Sequence, residues 1–367
     1  MKEKKYASVH YHDYLQLDKI TGAQEPRSKA VGKEAHDETL FIITHQAYEL
    51  WFKQIIHELQ SVIHMFDQDI VDEKNIGVAV SRLQRVNKIM GLLIEQIAIL
   101  ETMTPLDFLE FRNYLIPASG FQSFQFRKIE TLLGLKTSER HTYNGKNYTE
   151  PFNTSQREAL QAIEKGNSLA DLIEDWLERI PFIETTSFNF VEKYELAVED
   201  MIRREKEAID AADYITPEQK KIHTQMLNGI SEYFESVFNE ETHNKAVKEG
   251  KHKLSYRAVL AALFIHLYRD QPILQLPYQL LSSLVEIDES LSTWRYRHAQ
   301  MVRRMIGQKI GTGGSSGYDY LKKTSEKHHI FLDLQKITTL LIPRSERFEL
   351  PEDLEKELGF YFTAIKN

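Results

Sequence analysis

The chain contains no cysteine in 367 residues. That absence removes disulfides, thiolate metal sites, iron–sulfur clusters and cysteine nucleophiles together, and it fits a reducing compartment. Nor is there an uncharged apolar run near the ~20 residues needed to cross a bilayer. The basic start, MKEKKYASVHYHDYL, lacks the apolar stretch of a signal peptide. The expected setting is therefore cytoplasmic, with no membrane partner. A dense basic stripe is missing as well: 46 Lys and Arg stand against 54 Asp and Glu, a net charge of -8. No nucleic-acid partner is expected from that balance. Long alternating apolar–polar runs are scarce, so strands have little to form from. What remains is an ordinary globular mixture, 42% hydrophobic and 27% charged, long enough for one large core or two domains.

Most of the chain carries helical periodicity. Leu40, Phe41, Ile43, Ala47, Leu50, Trp51, Ile55, Leu59, Ile63 and Phe66 recur at three and four spacings over 37–68. Leu83, Val86, Ile89, Leu93, Ile97 and Leu100 repeat the pattern over 80–101. Thr104-Pro105 opens a short helix, with Asp107 three residues after the cap. Segments 121–134, 155–163 and 168–180 are amphipathic, the last opened by Ser168 with Asp171 behind it. Thr216-Pro217-Glu218-Gln219 caps a helix expected to reach about Glu241. Further helices are expected from about Ser255 to Tyr268 and over 277–306. Residues 330–342 read as helix or strand, with helix preferred. Segments 1–35, 138–154 and 243–253 have the composition of the least ordered regions. The expectation is an all-α fold: an arm over 1–35, then one helical domain over 36–367 with a helical excursion at about 180–250. An arm without helical pattern, yet holding Tyr11, Tyr14 and Leu15, reads as packing on a neighbour.

Three side chains and one loop carry the candidate chemistry. His298 shares a face with Leu284, Ile287, Leu291, Trp294, Met301 and Met305. It is either hydrogen-bonded in the core or bound to something, and Trp294 one turn earlier offers a flat wall. His45 follows Phe41 by four residues, so the pair is either a buried histidine tied to a carbonyl or Glu49, or an aromatic platform with one polar group beside it. Arg112 sits among Phe108, Phe111 and Leu115. Its guanidinium needs an anion, either Glu101 or Glu110 or a bound carboxylate. Pro117-Ala118-Ser119-Gly120 after it is a tight turn of small residues. The run Gly311-Thr312-Gly313-Gly314-Ser315-Ser316-Gly317 is costly to order and follows no strand. It lacks the lysine of a phosphate-binding loop, and it fits a lid closing on a polar ligand. His57-Glu58 has no zincin continuation. His328 and His329, with His10, His12, His36 and His64, read as surface or local packing residues.

Long blocks carrying these residues resemble the tryptophan 2,3-dioxygenase family. They are HDETLFIITHQAYELWFKQIIHEL (36–59), LETMTPLDFLEFRNYLIPASGFQSFQFRKIE (100–130) and WRYRHAQMVRRMIGQKIGTGGSSGYDYL (294–321). The resemblance runs from Tyr11 to Arg344. It implies a helical-bundle haem dioxygenase fold whose N-terminal arm is exchanged between subunits, assembled as a homotetramer of arm-exchanged dimers. The implied reaction opens the indole C2–C3 bond of L-tryptophan with O2 to give N-formyl-L-kynurenine, first step of the kynurenine pathway, with haem b ferrous for activity. By the same resemblance His298 is the axial iron ligand, and Trp294, Phe126, Arg127 and Ser119 attend the haem, Arg127 near a propionate. His45, Arg112 and Thr312 are the implied catalytic group. The substrate is expected against Phe41, Ile42, Ile43, Thr44, Phe108, Leu115, Ser119 and Gly311, with Tyr11, Tyr14 and Leu15 entering from a neighbouring subunit. Two alternatives remain at this point: a haem mono-oxygenating enzyme of the same fold acting on an indole analogue, and a non-enzymatic haem-binding protein. The 180–250 excursion resembles animal members more than compact bacterial ones.

Overall fold

A computed structural model describes residues 8–141, 147–309, 311 and 317–360. Thr312, with most of the glycine-rich run, lies outside the described residues.

The arm holds three short helices, α1 (Tyr11–Leu15), α2 (Leu17–Thr21) and α3 (Arg27–Ala30). This corrects the expectation of an arm without helix: four or five residues are too short to print a period. Its second half is fastened to α4 (Asp37–Phe66). The buried Glu38 carboxylate accepts the backbone N–H of Arg27 at 2.8 Å and of Ser28 at 2.9 Å, and Gln46 Nε2 donates to the Ala23 carbonyl at 3.0 Å. Helix α5 (Lys74–Leu100) begins six residues before the expected start, and α6 (Pro105–Arg112) follows it. The start of α6 is fixed locally: Thr104 Oγ1 accepts the Asp107 N–H, and the Asp107 carboxylate accepts the Thr104 N–H at 2.9 Å. After the Ser119–Gly120 turn comes α7 (Phe124–Leu133). It stops at Gly134, whose φ of +124° suits glycine. Any Cβ at that point would lie 2.7 Å from the Ala170 side chain.

Then come α8 (Thr154–Lys165) and α9 (Leu169–Glu178), the latter boxed by Ser168 and Asp171 as expected. A two-stranded antiparallel hairpin, β1 (Glu184–Thr185) with β2 (Phe188–Asn189), had no sequence signal. The excursion is helical: α10 (Phe190–Ala211), α11 (Pro217–Phe238) and α12 (Glu240–Lys248). The helix expected to run to Glu241 therefore stops early. Asn239 leaves the helical conformation, and its side chain accepts the Thr242 N–H at 2.9 Å, capping α12 instead. Much of 243–253, expected to be poorly ordered, is helix through Lys248. The C-terminal part holds α13 (Tyr256–Leu267), α14 (Gln275–Ile306), α15 (Gly317–Lys327), α16 (Leu332–Lys336) and α17 (Glu352–Leu358). Segment 330–342 is thus a short helix continued as a 3-10 turn over Ile337–Leu340.

Helix α14 is the axis of the assembly, packed along α5 and α15, while α4 packs on α5 and α7. The main apolar cluster joins α4, α5, α7, α9, α13 and α14, and it includes Phe190, Tyr194 and Phe234 of the excursion. The Tyr194 hydroxyl donates to the Leu340 carbonyl at 2.5 Å. A smaller cluster of Ala35, Leu100, Met103, Phe111, Met305 and Ile306 stands apart, joined by Phe41 and Phe108. The gap between the two clusters positions the site. Among the described residues no single helix is long and apolar enough to cross a membrane.

Candidate functional site

Between those clusters lies a cavity of about 1630 Å³, its open mouth included. Helical spacing delivers the walls. On α4, Phe41, His45, Tyr48, Glu49 and Phe52 share one face; on α14, Trp294, Arg295, His298, Met301 and Met305 do. Helix α6 contributes Phe108 and Arg112, four apart, and α7 contributes Phe126, Arg127 and Glu130. One end is aromatic: the Trp294 ring lies 5.0 Å from Phe126, 6.0 Å from Tyr48 and 6.2 Å from Phe52. Burial pushes the Tyr48 hydroxyl up to about 12, although Trp294 works against it. That hydroxyl stays protonated and donates to the Leu93 carbonyl at 2.7 Å.

The two histidines differ in their bonding. His45 Nδ1 is 2.7 Å from the Phe41 carbonyl. A carbonyl can only accept, so Nδ1 carries the proton and Nε2 keeps its lone pair. Burial lowers the His45 pKa, with the Phe41 bond and the Glu49 charge offsetting part of the shift. The Glu49 carboxylate itself accepts Ser123 Oγ at 2.6 Å and Gln125 Nε2 at 2.9 Å. His298 makes no hydrogen bond among the described residues, and its Nδ1 is buried without a partner. Burial, then the nearness of His45, pushes its pKa down to about 4. At neutral pH the ring is uncharged, the state in which imidazole binds a metal.

His45 is tied to the Phe41 carbonyl as one reading had it, but it is exposed to the cavity rather than buried. Phe41 lies against it, ring centroids 4.1 Å apart, with Phe108 at 5.8 Å from Phe41. Arg112, Ser119, Gly311, Trp294, Phe126 and Arg127 also line the cavity. Glu101, one structural partner considered for Arg112, lies 3.4 Å from Arg297. Ile42, Ile43, Thr44 and Leu115 do not line the cavity. Ile43 is exposed on the far side of α4, Thr44 is buried with its carbonyl accepting from Gln96 at 3.1 Å, and Leu115 packs on the smaller cluster. Tyr11 and Tyr14 are 70% and 72% exposed, outside the cavity of their own chain, and Leu15 beside them also stands outside it.

Sequence reasoning missed Tyr48, Phe52, Glu130, Arg295 and Tyr320 as cavity residues; His328, expected as a surface or local packing residue, is a packing residue that lines the cavity as well. His328 is 1% exposed and lines the cavity, its Nε2 accepting the His141 N–H at 2.8 Å. Charges at 127, 130 and 295 within apolar helix faces were the available signal.

Does this lining suit a haem? A half-buried imidazole without a hydrogen-bond partner among the described residues, flat aromatic walls and guanidinium groups at one edge suit a planar metal macrocycle with an anionic rim. Among the described residues no three His, Cys, Asp or Glu gather as a protein-only metal cage. The lining fits.

Fold and cavity together define an all-α protein with a deep, mostly apolar cavity that three histidines and three arginines line. Residues 1–341 match the family model described as tryptophan 2,3-dioxygenase. The chain is 46% identical to the tryptophan 2,3-dioxygenase of Alteromonas mediterranea, over 98% of this chain and 99% of that one. It is 48% identical to that of Bdellovibrio bacteriovorus, over 98% and 100%, and 45% identical to tryptophan 2,3-dioxygenase B of Danio rerio, over 96% and 86%. The chain belongs to the tryptophan 2,3-dioxygenase family and is an oxidoreductase of that kind. Full-length matches to two bacterial proteins correct the expectation that the 180–250 excursion marks animal members.

Proposed function

We propose that this cavity holds haem b on His298 and binds L-tryptophan beside it. The reaction is oxidative opening of the indole C2–C3 bond with O2, both oxygen atoms entering N-formyl-L-kynurenine. When bound, ferrous haem supplies the iron at which O2 is activated. The observation that supports this reading is the half-buried, neutral imidazole of His298, which faces the cavity with its Nδ1 buried and no hydrogen-bond partner among the described residues.

The chain's own residues position and desolvate. Trp294 and Phe126 would form the wall against which the macrocycle packs, with Ser119 and Arg127 beside it. Phe41 and Phe108 give the indole an apolar face. His45, its Nδ1–H committed to the Phe41 carbonyl, presents Nε2 as acceptor for the indole N–H. Indole N–H is a very weak acid, so His45 orients the ring and is not required as a base. The substrate carboxylate is taken by Arg112. Thr312, beyond Gly311, closes on the amino-acid end in this reading, and Tyr11, Tyr14 and Leu15 arrive from the neighbouring subunit. The exposure of both tyrosines on a fastened arm supports that exchange. The working form is then a cytosolic homotetramer of arm-exchanged dimers.

Turnover in labelled O2 tests the proposal. Two labelled atoms in the product are expected. One labelled atom would make the chain a mono-oxygenating enzyme of the same fold, and haem uptake without tryptophan-dependent O2 consumption would leave only a haem-binding protein.

A further inference from the structure

The edge of the cavity behind Phe126 is electrically unbalanced. Glu130, fully buried, accepts Arg127 Nη1 at 2.9 Å and Arg140 Nη1 at 2.5 Å on one oxygen, and Arg295 Nη2 at 2.7 Å on the other. The three arginines are 7%, 6% and 2% exposed, so none sheds its charge into bulk water. Burial disfavours the charged carboxylate, but Arg127, Arg140 and Arg295 overcome it and hold Glu130 well below the ordinary range. His328 helps hold Glu130 down, after the three arginines. His328 accepts the His141 N–H through Nε2, and burial drives its pKa to about 3. His141 is also lowered, by burial and then by Lys323 and Lys327. Among the described ion pairs, one carboxylate therefore answers three guanidinium groups, an excess of two positive charges.

Such an excess is expensive to keep out of water unless a counter-charge arrives. Arg127, Glu130 and Arg295 line the cavity, so the counter-charge can come from its occupant. The guanidinium carbons of Arg127 and Arg295 lie 5.8 Å and 5.9 Å from the centroid of the same Phe126 ring. Two cations thus border the aromatic wall against which a flat ring would rest. Arg127 Nε is also buried without a partner.

We propose that Glu130 gathers Arg127, Arg140 and Arg295 into a buried dication that selects a planar ligand carrying two carboxylates on one edge, with Arg295 as a specificity-determining residue. This rests on the haem reading and deepens it, because the sequence pointed to Arg127 alone at this edge.

The test uses the apoprotein and two metal-free probes, protoporphyrin IX and its dimethyl ester, followed by porphyrin fluorescence. The ester keeps the ring and removes both charges. The diacid should bind about tenfold or more tighter than the ester, the value of one or more charge-assisted hydrogen bonds, and its advantage should shrink with added salt. Arg295→Met should lower the diacid-to-ester ratio by about tenfold while leaving ester binding nearly unchanged, and Arg295→Lys should restore part of it. Equal binding of both probes by the wild-type protein would overturn the dication proposal while leaving the haem reading intact. Failure of both probes to bind would instead count against the haem reading. The wild-type comparison stands even if an Arg295 variant does not fold.

Discussion

Arg112→Leu should separate substrates by whether they carry a carboxylate. Arg112 is half-buried on α6, one turn after Phe108, and it lines the cavity mouth between apolar side chains. A guanidinium there can make two parallel charge-assisted hydrogen bonds to a carboxylate, at about 1.5–3 kcal/mol each when desolvated. Half-exposure discounts that total, leaving about 2–4 kcal/mol. At 1.36 kcal/mol per decade, kcat/KM for L-tryptophan falls by about 30- to 1000-fold. The loss should appear mainly in KM, since the carboxylate is remote from the bond being cleaved. Tryptamine, with the same indole and ammonium but no carboxylate, is the control, and its kcat/KM should change by less than about threefold. Leucine keeps much of the side-chain volume, which limits collapse of the smaller cluster against Phe108 and Phe111. Steady-state kinetics on both substrates, with haem content matched between proteins, decides the matter. An equal loss on tryptophan and tryptamine would refute the clamp and make Arg112 a structural residue.

Three further outcomes follow from the same geometry. His298→Ala should abolish the Soret band of reconstituted protein and turnover together, and full activity in that variant would remove the axial assignment. His328, with a folded pKa of about 3 against an ordinary 6.5, is protonated first in the unfolded chain. Its contribution to stability is therefore lost as pH falls from about 6.5 toward 3, at up to about 1.36 kcal/mol per unit. His328→Gln, which keeps an acceptor for the His141 N–H, should flatten denaturant midpoints across that window; an unchanged slope contradicts the shift. Gly134→Ala places a Cβ 2.7 Å from Ala170 and 2.9 Å from Ser168 Oγ at φ +124°. It should cost about 1–3 kcal/mol by chemical denaturation, and an unchanged midpoint would show that α7 and α9 separate easily.

What could be read from sequence was what is decided locally. The start of α6 rests on Thr104 and Asp107, that of α9 on Ser168 and Asp171, and that of α11 on Thr216 and Gln219, each pair three residues apart. Faces were legible wherever periodicity ran for several turns, which placed Phe41 with His45 and Trp294 with His298. The break at Asn239 was hidden because the all-polar run after Phe238 carries no period that marks an end, and a single Asn cap decides it. The strands β1 and β2, two residues each, are too short to alternate. The Glu130 cluster was hidden for another reason: Arg295 is 165 residues away in sequence, and only tertiary packing brings its charge to α7. Thr44 and Ile43 were expected in the site from the family resemblance, but helical rotation turns them away from the cavity lining.

Helix α14 also constrains how the chain can change length. Arg295 and His298 are three residues apart on one rigid rod, a rise of about 4.5 Å, with Met301 and Met305 on the turns that follow. Inserting or deleting one residue between 295 and 298 would rotate one past the other by about 100°. No neighbouring side chain could absorb that, because α14 is held along its sides by α5 and α15. Indels near residues 138–154 or at the turns joining α10, α11 and α12 meet no such ruler. Length variation should accumulate there and be purged from α14, and a deletion scan of expressed protein for haem uptake would map that boundary residue by residue.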